Sequence, residues 1–68
     1  MYIGIDLGGT NIAVGVVSED GKIIKEGSVP TGSSRPTGEI VKDMAELSKK
    51  LTRECGMDIS EIKAVGIG

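Results

Sequence analysis

The chain has 68 residues, a formal net charge of −2, and 38% hydrophobic against 26% charged residues. This composition is ordinary for a globular chain, and so small a net charge gives no electrostatic case for binding nucleic acid or an anionic membrane. The single cysteine, Cys55, excludes an internal disulfide and a cysteine-rich zinc site. No apolar run approaches the ~18 residues of a membrane span, so a cytoplasmic location is expected. A core this small supplies about 3 to 5 kcal/mol, with Tyr2 as the one aromatic residue to fill it.

The first predicted strand leads into a glycine-rich turn. Residues 2–5 are apolar, and the sequence continues as Asp6-Leu7-Gly8-Gly9-Thr10-Asn11. Paired glycines let backbone N–H groups approach an anion, Thr10 adds a hydroxyl donor, and a carboxylate at a strand end can hold the Mg²⁺ that accompanies ATP. The turn therefore predicts a metal–nucleotide site. Two plainer interpretations compete: a hairpin turn that needs glycine for its positive φ, and an aspartate that merely caps the turn.

The segment after the glycines excludes two common phosphate loops. In a dinucleotide fingerprint or a Walker loop, the glycines open a helix whose N-terminus faces the phosphates. Here residues 12–17 are rich in β-branched side chains and lead to the hairpin signal Asp20-Gly21, which predicts a second strand. The Gly-Lys-Ser/Thr of a Walker loop is also missing.

A third strand and a loop follow. Residues 22–29 are weakly patterned and charged, which predicts a strand with one solvated face or edge that ends at Pro30. Residues 31–38 carry small polar side chains and are expected to form a mobile connection within one domain. Arg35 in this loop is most simply a solvated side chain.

Helical spacing returns after the loop. Ile40, Met44, Leu47 and Leu51 recur at steps of four, three and four, which predicts an amphipathic helix. We expect Thr37 to be its N-cap, and Gly56 to end it in the left-handed region. Cys55 lies at the end of this helix and is expected to be structural, because the chain has no histidine to activate a thiol.

The last segment predicts a fourth strand. Residues 58–61 have an aspartate followed three residues later by a glutamate, which is typical of a short capped turn. Residues 64–68 are apolar throughout, which predicts a strand buried on both faces and paired in parallel after a helical crossover. The expected fold class is α/β in the order β-β-β-α-β, a three-stranded antiparallel meander plus a parallel fourth strand.

The succession of a strand, the turn Asp-x-Gly-Gly-Thr-Asn and a second strand resembles the first phosphate motif of the actin, hexokinase and Hsp70 superfamily. The paired glycines are most similar to ROK-family sugar kinases, and residues 2–17, 21–29 and 64–68 match the first strands of that family. The resemblance implies a ribonuclease H-like (actin-like ATPase) half-domain, with residues 1–68 as the N-terminal part of a single, incomplete domain.

The same resemblance implies roles for individual residues. Asp6 would be the partner of Mg²⁺, and contacts to the β- and γ-phosphates of ATP would come from Gly8, Gly9, Thr10 and Asn11. Many members place a basic residue where this chain has Ala13, so nucleotide affinity is expected to be lower. The full-length protein is expected to be a homo-oligomeric, glucokinase-like enzyme that phosphorylates the 6-hydroxyl of a hexose, glucose above all.

The resemblance also implies what this chain lacks. The family's catalytic aspartate, its sugar ligands and its zinc cluster belong to later segments, so zinc could be held only by residues outside this chain. Phosphoryl transfer depends on positioning and charge neutralisation, and the 68 residues alone are therefore expected to be inactive.

Three alternatives remain open at this stage. The chain could belong to an Hsp70-like ATPase, although those relatives carry one glycine followed by two threonines where this chain has Gly9. It could belong to a repressor of the same family, but those carry a helix-turn-helix ahead of the first strand, whereas Met1 stands directly before it here. It could also be a non-catalytic module that associates through exposed sheet edges.

Overall fold

Four strands and one long helix make up the molecule in a computed structural model that describes residues 1–32 and 35–68. Ser33 and Ser34, part of the predicted mobile connection, lie outside the described residues. In chain order the elements are β1 (Tyr2–Leu7), β2 (Asn11–Val17), β3 (Ile23–Pro30), α1 (Thr37–Glu54), a single 3₁₀ turn (Ile59–Glu61) and β4 (Ala64–Ile67). No helix among the described residues is long and apolar enough to cross a membrane.

The sheet has the strand order β3-β2-β1-β4. β1 pairs antiparallel with β2, bringing Asp6 opposite Ala13, and β2 pairs antiparallel with β3. β4 lies parallel to β1, as a helical crossover requires. The α/β class, the order β-β-β-α-β and the mixed pairing predicted from the sequence are confirmed. β1 extends two residues further than predicted, so that Asp6 lies within the strand.

The hydrophobic core lies between one face of the sheet and α1. Alternate residues of β1 and β2 point into it, and the helix adds its apolar stripe; its buried members are Ile3, Ile5, Ile12, Val14, Val16, Met44, Leu47 and Leu51. Gly27 on β3 lets the helix come close, because a Cβ there would lie 3.3 Å from Leu51 Cδ2. The core is aliphatic: Tyr2, expected to fill it, is 38% exposed.

Both ends of α1 test the sequence prediction. The N-cap is Pro36, with φ −58° and ψ 146°, and no side chain among residues 1–32 and 35–68 caps the helix, so the prediction of Thr37 as N-cap is wrong. Thr37 is instead the first helical residue, because the first hydrogen bonds of the helix run to the Pro36 carbonyl, from the Glu39 N–H at 3.0 Å and the Ile40 N–H at 3.4 Å. At the other end Gly56 has φ +76°, as predicted. Cys55 is the C-cap and packs against the core, which agrees with a structural role.

β4 differs from its prediction. Its residues are exposed, with Val65 at 54% and Ile67 at 61%, whereas we expected a strand buried on both faces. The physical reason is its position at the sheet edge: α1 packs on β2 and β3 and leaves β4 uncovered. The capped turn before it is confirmed, since the Glu61 carboxylate accepts the Asp58 N–H at 2.9 Å and Asp58 accepts the Ser60 N–H at 3.4 Å.

A surface ion pair joins the strand ends farthest from the glycine-rich turn. Glu19, in the β2–β3 hairpin, lies 2.8 Å from Lys63 Nζ and 3.1 Å from the N-terminal amine. Hydrogen bonds from Lys63 and then from the N-terminus lower the pKa of Glu19, and Glu19 raises the pKa of Lys63. Because both side chains are exposed to solvent, this contact adds little to stability.

Candidate functional site

The turn between β1 and β2 brings together the site residues predicted from the sequence. Asp6 lies near the end of β1, Gly8 to Thr10 form the connection, and Asn11 opens β2. The Gly8 N–H donates to the Asn11 carbonyl at 3.0 Å and closes the turn. All five predicted residues are exposed, so a ligand can reach each of them.

The two glycines serve different purposes, and neither needs positive φ. The described glycines with positive φ are Gly21, Gly32 and Gly56, which removes the interpretation of Gly8-Gly9 as a turn that requires it. A Cβ at Gly8 would lie 3.1 Å from the Asn11 carbonyl oxygen, so this position is restricted by the turn itself. A Cβ at Gly9 would meet no atom of residues 1–32 or 35–68 within 4 Å. The backbone of Gly9 is therefore open to a ligand from outside.

The Gly9 N–H is a donor available to such a ligand. Within residues 1–32 and 35–68, no hydrogen bond from this N–H to a protein acceptor is found. A backbone N–H without a protein acceptor at an open glycine can bind an anion such as a phosphate oxygen.

Asp6 lies on the face of the sheet that α1 does not cover. It borders an open depression of about 710 Å³ whose floor is made of small residues, among them Gly4, Ala13, Gly15 and Gly66. In the described part of the chain no group of three or more His, Cys, Asp or Glu side chains comes together. A cation held by Asp6 would therefore take most of its roughly six oxygen ligands from water or a bound phosphate.

The end of the chain lies beside the same strand. The Leu7 N–H donates to the Gly68 carbonyl at 3.2 Å, and the Gly68 N–H donates to the Ile5 carbonyl at 2.9 Å. Asp6 thus lies between two residues whose backbone pairs with Gly68, the residue directly after β4. Because side chains alternate along a strand and Ile5 points into the core, the side chain of Asp6 lies on the uncovered face.

Thr31 is a residue of the site that sequence reasoning missed. It is 5% exposed, its Oγ1 donates to the Gly8 carbonyl at 2.8 Å, and its N–H donates to the Thr10 carbonyl at 2.9 Å. The prediction of a mobile connection is therefore wrong for its first residue. The only signal in the sequence was the position of Thr31 directly after the strand that pairs with β2.

Arg35 also has a defined place. Its Nη2 donates to Asp43 Oδ2 at 2.6 Å and to the Thr31 carbonyl at 2.9 Å, so it is not simply solvated as expected. The pair links the loop before α1 to the helix.

Comparison with known proteins assigns the family. The ROK family model matches residues 2–68. The chain belongs to the ROK family. The resemblance seen in the glycine-rich turn is thereby confirmed, and an Hsp70-like assignment is not supported.

Individual relatives are glucokinases. The chain is 39% identical over 66 residues to a glucokinase of Thermotoga maritima, and 42% identical over 68 residues to one of Streptomyces coelicolor. These matches cover 97% and 100% of this chain but 19% of each relative. A crystal structure of a ROK family glucokinase from Streptomyces griseus in complex with glucose and AMPPNP matches 98% of the chain with a TM-score of 0.78 and 37% identity. It too is covered over 19% of its length.

Proposed function

We propose that this chain is the nucleotide-phosphate-binding segment of an ATP-dependent hexose kinase. In the complete protein, the γ-phosphate of ATP is transferred to the 6-hydroxyl of a hexose, with glucose as the first candidate. The observation that carries the proposal is the open turn at Gly9 beside the exposed carboxylate of Asp6, in a chain of the ROK family. The named glucokinase relatives, and the neighbour bound to glucose and to an analogue of ATP, support it.

Each residue of the turn has a role in the proposal. The backbone of Gly8 and Gly9, the hydroxyl of Thr10 and the amide of Asn11 donate to the β- and γ-phosphates. Asp6 would hold Mg²⁺ through water, and a cation bound there would supply positive charge beside the transferred phosphoryl group. Ala13 lies opposite Asp6 on β2 and adds no positive charge there.

The 68 residues alone are proposed to be inactive. Phosphoryl transfer needs a base for the attacking hydroxyl, a second phosphate contact and a sugar pocket. We assign these to other segments of the same actin-like ATPase domain. This chain spans about a fifth of the length of its relatives.

The experiment is a coupled ADP assay on the protein expressed from the uninterrupted reading frame that contains this chain. We expect ATP- and Mg²⁺-dependent ADP formation with glucose, and slower or no turnover with other hexoses. Absence of turnover with every hexose in the panel would refute the proposal. The isolated 68-residue polypeptide serves as the negative control.

A further inference from the structure

Thr31 forms two hydrogen bonds to the glycine-rich turn, from the side of the turn that faces the end of β3. Its hydroxyl donates to the Gly8 carbonyl at 2.8 Å and its backbone N–H donates to the Thr10 carbonyl at 2.9 Å. One residue thus fixes two carbonyl groups of the turn, although it is more than 20 positions away in the sequence. Its side chain is buried, so solvent does not compete with these contacts.

Because a peptide group is planar, the contacts to the two carbonyl groups also fix the directions of the N–H groups that follow them, those of Gly9 and Asn11. The Gly8 carbonyl and the Gly9 N–H belong to one planar trans peptide, in which the two groups point in opposite directions. A hydrogen bond that draws the Gly8 carbonyl toward Thr31 therefore turns the Gly9 N–H away from it, into the open space. The Thr10 carbonyl and the Asn11 N–H also share one peptide, so the second contact of Thr31 fixes the direction of the Asn11 N–H.

Thr31 is itself held by a side chain from the loop before α1. Arg35 donates to the Thr31 carbonyl from Nε at 3.2 Å and from Nη2 at 2.9 Å, and Nη2 also reaches Asp43 at 2.6 Å. Gly32 makes this possible, since it has φ +63° and a Cβ there would lie 2.7 Å from Arg35 Nε. The planar guanidinium with its fixed donors suits such a shared contact. A continuous path of contacts therefore leads from α1 to the turn.

We propose that Thr31 is a positioning residue that aims the Gly9 N–H at the phosphate of the nucleotide, with Arg35 and Asp43 holding Thr31 in place. The inference rests on the proposed function for the identity of the ligand. It assigns Thr31 no contact with the nucleotide itself. The hydroxyl, rather than the size of the side chain, carries the effect.

The test compares Thr31→Val with Thr31→Ser in the protein from the complete reading frame. Thr31→Val keeps the shape and removes the hydroxyl, and the loss of one hydrogen bond, about 0.5–1.5 kcal/mol, predicts a rise of about 2- to 12-fold in the KM for ATP. The KM for the hexose should not change, and Thr31→Ser should restore the wild-type KM for ATP. Thr37→Val is the matched control, because Thr37 is exposed and does not cap α1.

A second measurement does not need catalysis. Amide hydrogen exchange at Gly8, whose N–H donates to the Asn11 carbonyl across the turn, should be faster in Thr31→Val than in the wild type, and unchanged in Thr31→Ser and Thr37→Val. If the wild type phosphorylates no hexose, the proposed function fails, and the exchange rates alone decide the role of Thr31. If the wild type is active but Thr31→Val changes neither the KM for ATP nor the exchange, the positioning role is refuted.

A further variant covers the case in which Thr31→Val does not fold. Asp43→Asn weakens the Arg35 contact at a partly exposed position. A higher KM for ATP with faster exchange at the Gly8 amide would support the path from α1 to the turn. Wild-type values of both quantities in a folded Asp43→Asn protein would overturn it.

Discussion

Asp6 lies near the end of an inner strand, on the uncovered face of the sheet, next to a turn whose backbone is open to ligands. Asp20 lies in the β2–β3 hairpin at the opposite end of β2, where it accepts a hydrogen bond from Ser18. Both side chains are exposed carboxylates, but Asp6 lies beside the glycine-rich turn, whereas Asp20 lies at the other end of β2. The two residues therefore form a matched pair for testing the metal role.

Asp6→Asn removes the negative charge and keeps the shape of the side chain. We expect kcat/KM for ATP-dependent hexose phosphorylation to fall on the order of 100-fold, because electrostatic stabilisation of the transferred phosphoryl group is lost. Asp20→Asn should leave the rate unchanged. Activity of Asp6→Asn within about twofold of the wild type, measured at saturating Mg²⁺, would contradict the metal role.

The residues of the turn could be predicted from the sequence, whereas Thr31 could not. Asp6 and Gly8 to Asn11 lie within six successive positions, so their chemistry is visible as a motif. Thr31 joins them only because β3 pairs with β2 and carries it to the turn, with Pro30 opposite Asn11. Arg35 depends on the fold in the same way, since its partner Asp43 lies on α1.

At the scale of the elements, α1 packs on the sheet through the buried apolar side chains Met44, Leu47 and Leu51. Leu51 is 3% exposed and lies against Gly27 of β3, while the neighbouring Lys50 is exposed. Any loss of packing here should also loosen the loop that carries Arg35, because Asp43 belongs to the same helix.

Leu51→Ala should lower the free energy of unfolding by about 2–5 kcal/mol, because it leaves a cavity between helix and sheet. Lys50→Ala at the adjacent, exposed position should change it by less than about 0.5 kcal/mol. Urea unfolding of the protein from the complete reading frame, followed by circular dichroism, measures both. Equal effects of the two substitutions would show that α1 does not pack on the sheet as described.

The apolar residues on the buried face of α1 could be predicted from their spacing, but the polar residues on that face could not. Ser48 and Thr52 are buried, and their hydroxyls donate to the Met44 and Ser48 carbonyls at 2.7 and 2.8 Å. Each hydroxyl is satisfied within its own helix, so burial costs little. A pattern that counts only apolar residues therefore underestimates the buried face.

At the scale of the whole molecule, apolar surface remains exposed on and beside β4. Val65 and Ile67 are more than half exposed, and Val41 and Ile59 border the same depression next to α1. Apolar surface of this kind is normally covered by another part of the protein or by a second chain. The sequence of β4 is that of a buried strand, and its exposure here agrees with a chain that spans 19% of its relatives.

The most direct measurement of the central claim is the KM for ATP of Gly9→Ala in the protein from the complete reading frame. The added methyl group meets no atom of the described part of the chain within 4 Å, so folding should be unaffected, but it occupies the space that the proposal assigns to the phosphate. Loss of one hydrogen bond to a charged group, about 1.5–3 kcal/mol, predicts a rise of about 10- to 150-fold. Gly38→Ala, also free of clashes, should behave as the wild type. An unchanged KM for ATP in a folded Gly9→Ala protein would contradict phosphate binding at this turn.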